Sequence, residues 1–127
     1  MMSRLLVLSL AAALVAGSAA PAFACGMYKQ EVEPASNRIA SAKQYLEKNS
    51  LDEAAAYARS VAHDRKLDKK TRAEAYSLAG VIRWKQGNKN AAKQNFKKAR
   101  ELDPSQYENV VATQSDAAAI RAIVEEA

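Results

Sequence analysis

One cysteine and one histidine are all that the 127 residues hold of either. With Cys25 alone, no intrachain disulfide can form. With His63 alone, beside Asp64 at the end of an expected helix, no Ser–His or Cys–His pair stands at a recognisable spacing, and nucleophilic catalysis lacks its base. One His and one Cys also fall short of a tetrahedral metal set, the acids form no calcium-loop pattern, and no glycine-rich phosphate loop occurs. These shortages argue against an enzyme and against a bound cofactor, and they leave His63 a surface or capping residue. No segment alternates apolar and polar residues as a strand does, so the expected fold class is all-α.

No apolar run reaches the about 18 to 20 residues that cross a bilayer. The longest, Leu5 to Ala16, follows Arg4 and leads through small residues to Ala22-Phe23-Ala24, the form of a secretory signal over residues 1–24. Cleavage is expected after Ala24, which makes the mature protein periplasmic or secreted, in the style of a bacterial envelope protein. Cys25 then becomes the first residue. Lipid attachment there normally wants a branched apolar residue three positions before the cysteine and a small one two before. Ala22 and Phe23 stand in those places, so ordinary cleavage fits better than a lipoprotein, and a lone thiol is left that can pair between chains. Residues 25–33 form a short extension, and 34–127 one small domain.

The net charge is only +5, but it is unevenly placed. Between Arg65 and Arg100 stand twelve Lys or Arg against two acids, Asp68 and Glu74. Lys89, Lys93, Lys97 and Arg100 lie four, four and three residues apart, on one flank of a helix, with no acid between Glu74 and Glu101 to offset their repulsion. In an exported protein nucleic acid is not the expected partner; an acidic protein face or an anionic envelope component is, with a plain solvated surface as the alternative.

A helical period runs from Pro34 onward. Pro34 suits a first helical position, with Ile39, Ala42, Tyr45 and Leu46 on one face and Asn49 closing the helix. Ser50 to Glu53, Thr71 to Glu74 and Ser105 to Glu108 each have the form of a capping box. Ala54, Tyr57, Ala58, Val61 and Ala62 continue the second stripe, and Asp64 to Lys70 reads as a connection. Gly87 stops the third helix and Asn88 starts the fourth, whose buried side carries Ala92, Phe96, Ala99 and Leu102 before Pro104. A short helix through Val110 and Val111 follows, then a last one, from Ser115 or Asp116, with Ile120, Ile123 and Val124 on one side.

Within this pattern, Ala73 to Gln106 place Tyr76, Gly80, Gly87, Ala92, Phe96, Ala99 and Pro104 where a 34-residue helical hairpin alternates small and bulky groups. The segment resembles a tetratricopeptide repeat (TPR). The resemblance implies that two helices approach closely where Gly80 meets Ala92, with Phe96 and Tyr76 filling the gaps to neighbouring helices. Residues 34–66 align as a degenerate repeat at an offset of 38, with Ala42 opposite Gly80, Asn49 opposite Gly87 and Ala54 opposite Ala92. Arg38 then stands in the place of Tyr76, and about four extra residues fall in the connection near Arg65 to Asp68. Residues 107–127 serve as capping helices. About two repeats is fewer than the three or so a stable stack usually needs, so either the caps compensate or the chain forms homo-oligomers.

Stacked repeats of this family bind protein or peptide partners along a groove lined by the first helix of each repeat. The resemblance thus implicates Ile39, Lys43, Leu46 and Glu47, then Glu74, Ser77, Val81, Trp84 and Lys85. Trp84 is either an interface anchor or a core residue under the terminal helix. Ile39 and Leu78 stand where a clamp for terminal carboxylates needs polar donors, so that specialisation is not expected. Two functions follow: a non-catalytic exported scaffold using this groove, or a module whose basic flank of Lys89, Lys93, Lys97 and Arg100 sits on anionic polymer or lipid.

Overall fold

Helix starts recur at Ala35, Lys69 and Pro104, close to one repeat length apart, and each opens a helical hairpin. The computed structural model describes residues 33–126; the expected export signal at 1–24 and Cys25 lie outside them. The first hairpin joins α1 (Ala35–Glu47) to α2 (Leu51–Ala62), and the second joins α3 (Lys69–Lys85) to α4 (Lys89–Leu102). The third joins α5 (Pro104–Ala112) to α6 (Ala117–Glu125). The described residues contain no strand, and no helix among them is long and apolar enough to cross a membrane.

The first two hairpins turn in the same way. Asn49 (φ 61°) and Gly87 (φ 81°) both enter the left-handed region. Asn49 N–H donates to the Leu46 carbonyl and Ser50 N–H to that of Tyr45, while Gly87 N–H donates to Trp84 and Asn88 N–H to Arg83. This two-bond closure satisfies carbonyls that a helix end otherwise leaves open. Its recurrence at the offset of 38 makes residues 34–66 a backbone repeat of the second hairpin although their side chains diverge. The extra residues are not in the connection, as the alignment had implied. α3 has 17 residues against 13 in α1, so the additional turn, 69–72, is helical.

None of the three expected capping boxes forms. Ser50 stands before α2 without a side-chain bond to it, and its own N–H is already held by the Tyr45 carbonyl at 2.8 Å, which leaves Glu53 nothing to reach back to. α3 starts a turn earlier than Thr71, at Asp68, whose Oδ1 accepts from Thr71 N–H at 2.8 Å. α5 starts from Asp103, which accepts from the amides of Ser105 and Gln106, with Pro104 in the first helical position. An ionised carboxylate is a stronger acceptor than a hydroxyl, and its charge complements the positive end of the helix dipole. Asn88 caps α4 as expected, accepting from Ala91 N–H at 3.1 Å.

The core runs through all three hairpins. Phe96, fully buried, lies against Gly80: a Cβ added there would meet the ring at 2.6 to 2.8 Å. The nearest neighbour at Gly80 is therefore the Phe96 ring. Tyr107 from α5 meets Phe96 edge-on at 6.0 Å, and its burial pushes the phenol above its ordinary pKa. α5 packs on α3 and α4, while α6 brings Ile120 and Val124 into the core along α4. The expected capping helices, α5 and α6, thus close the pair of repeats as a short third hairpin. Leu102, expected in the core, is half-buried.

Candidate functional site

The first helices of the three hairpins, α1, α3 and α5, border a groove of about 620 Å³. Its apolar floor is Leu46, Leu78 and Val110, one from each helix; Leu78 and Val110 are buried against the core and Leu46 is half-buried. Polar side chains make the rim: Lys43, Glu47, Glu74, Lys85, Gln106, Asn109, Thr113 and Gln114. Lys43 Nζ reaches Glu74 Oε2 at 3.0 Å, an ion pair that ties α1 to α3 across one end. The rim thus offers charges of both signs and amide groups above a narrow hydrophobic strip, suited to a segment that presents one or two apolar side chains with polar neighbours.

Of the residues named from the sequence, Lys43, Leu46, Glu47, Glu74 and Lys85 line this groove. Ile39, Ser77 and Val81 do not. Ser77 is fully buried with its Oγ donating to the Ala73 carbonyl at 2.9 Å, and Val81 is 1% exposed. The reason is tertiary: α3 is the middle helix, packed by α1 and α2 on one side and α4 and α5 on the other, so it meets the groove only along its Glu74–Leu78–Lys85 edge.

Trp84 also lies off the groove. It is partly buried against the core, its indole N–H donates to Asp116 Oδ2 at 3.2 Å, and Lys89 Nζ lies 5.6 Å from the ring centroid. It fastens α3 to the turn before α6. The α5 wall, Gln106, Asn109, Val110 and Thr113, is what the sequence reading missed. Its signal was the period itself: Pro104 opens a helix 35 residues after Lys69, as Lys69 follows Ala35 by 34.

The basic flank is not the unopposed row the sequence suggests. Arg100 pairs with Glu125 of α6, and Lys97 Nζ donates to the Glu126 carbonyl at 3.3 Å, just past the negative end of that helix. Lys89 sits over Trp84, and Lys93 is half-buried. The flank is met from a segment remote in sequence, by one carboxylate and one backbone carbonyl. His63 is exposed at the end of α2, 5.9 Å from the ring of Tyr76. Among the described residues no three His, Cys, Asp or Glu side chains cluster as metal ligands.

Hairpins stacked so that their first helices share one face define a helical-repeat architecture. Residues 73–106 match the family model of the tetratricopeptide repeat. No curated protein and no solved structure matches the chain. TPR proteins are typically scaffolds that bind other proteins without catalysis.

Proposed function

We propose that the protein is an exported scaffold that holds a segment of a partner protein in the α1–α3–α5 groove and performs no catalysis. One observation carries this reading: an apolar strip of Leu46, Leu78 and Val110 that three helices from three hairpins leave open beneath a polar rim. Leu46 is the accessible part of that strip, and it is the side chain a partner would cover. Export rests on the Arg4 start and the Ala22-Phe23-Ala24 site, so the mature chain begins at Cys25 without an acyl group. The rival reading, attachment through the basic flank, loses support because Lys97 and Arg100 are already engaged by α6.

Capture from envelope extracts at low and high salt separates the two. Groove binding predicts that Leu46→Glu abolishes recovery of the partner while Lys97→Gln does not, with modest salt dependence. Retention that survives Leu46→Glu and collapses with salt overturns the groove reading. Intact mass of the envelope form checks export: a species beginning at Cys25 is expected, and one carrying added acyl mass supports a lipid anchor instead.

A further inference from the structure

Away from the groove, α2, α3 and α4 enclose a second concavity of about 390 Å³. Arg59, His63, Arg83 and Asn95 line it above small alanines, and none of its lining residues is an acid. Asp64, next to His63 in the chain, is engaged elsewhere, 3.7 Å from Arg38 and accepting from Lys66 N–H.

Arg59 is in the last turn of α2, where a guanidinium ordinarily serves the final carbonyls. Here it is not needed for that. His63 N–H and Asp64 N–H close on the carbonyls of Arg59 and Val61, Arg38 takes that of Ser60 at 3.1 Å, and Arg72 takes that of Ala62 at 3.1 Å. Among the described residues the Arg59 guanidinium has no hydrogen-bond or ion-pair partner. Arg83 gives one N–H to Gln86 Oε1 at 2.8 Å, a fraction of the five donors a guanidinium carries. Asn95 is steadied by its amide on the Ala91 carbonyl at 2.9 Å.

We propose that this concavity is an oxyanion site of the phosphate class, bound by Arg59 and Arg83 with His63 and Asn95 at its edge. A single carboxylate is satisfied by one guanidinium fork, whereas a tetrahedral dianion presents oxygens to two forks arriving from different helices. The volume exceeds that of a bare phosphate and leaves space over the alanine floor for a small organic group, so the ligand is either the free ion or a phosphate monoester.

The test uses the full chain, isotopically labelled, titrated at constant ionic strength while the arginine Nε–H signals are followed. Inorganic phosphate should shift Arg59 and Arg83 saturably, and acetate should not. Arg59→Gln and Arg83→Gln should each weaken phosphate binding about tenfold, whereas Arg100→Gln, on the flank that meets α6, should leave the titration unchanged. Glycerol phosphate binding at least as tightly as inorganic phosphate identifies a monoester site; binding of inorganic phosphate alone identifies the free ion. Arg59 has no partner to lose among the described residues, so its variant should melt with the wild type. Drift no larger than matched chloride produces, or a phosphate titration of the Arg83 signal in Arg59→Gln that matches the wild type's, overturns the proposal.

Discussion

Phe96 and Gly80 are one structural decision. A fully buried ring rests where a helix has no side chain, and the distances under 3 Å mean that a side chain at position 80 requires the ring to shift. Phe96→Ala should cost about 3 to 5 kcal/mol in chemical denaturation. Gly80→Ala would gain from helix propensity in open solvent, yet here it should destabilise by about 1 to 3 kcal/mol through overpacking. Joined with Phe96→Leu, its penalty should be smaller than the sum of the two, and a double-mutant cycle measures that coupling. A Gly80→Ala variant as stable as the wild type would show that the ring moves aside freely.

At the scale of the helix, starts and stops follow electrostatics and backbone handedness. Hydrogen bonds from the Thr71 hydroxyl and amide hold the Asp68 carboxyl below the usual carboxylate range. A carboxyl whose pKa is lowered on folding adds stability above its unfolded pKa, and that contribution is lost as pH falls through the lower, folded value. Asp68→Asn keeps an acceptor without the titrating charge. Its melting temperature should therefore fall less steeply than the wild type's between about pH 5 and pH 3. At the helix stops, Gly87→Ala forces a side chain into the left-handed region and should cost about 1 to 2 kcal/mol, although open space surrounds the site. Asn49→Gly should be tolerated at the equivalent turn.

For the molecule as a whole, the short third hairpin completes the stack. It supplies the third side of the groove, brings Tyr107 against Phe96, and turns Glu125 toward the basic flank. Removing residues 104–127 should expose Phe96 and abolish cooperative unfolding, read by calorimetry. The flank carries a related expectation. Relief of like-charge repulsion by itself predicts that Lys97→Gln with Arg100→Gln raises stability. Engagement by α6 predicts no gain, or a loss within about 1 kcal/mol, because the Arg100–Glu125 pair is largely exposed.

Local physics was legible in the sequence: the six helices of the described residues, the left-handed closures at Asn49 and Gly87, the cap at Asn88, and the repeat at 73–106 with its buried Phe96. Each depends on residues a few positions apart, whose spacing and chemistry stand in the chain itself. Lys43, Leu46, Glu47 and Lys85 line the groove because their position on a first helix already places them at its edge. Tertiary packing decided the rest. Ser77 and Val81 lie on a face that a helical period cannot distinguish from the groove, and only the neighbours closing over α3 bury it. Trp84 and the flank of Lys97 and Arg100 find Asp116, Glu126 and Glu125 more than twenty residues away. Periodicity assigns each helix a face, but which neighbour covers that face is set by how the hairpins stack.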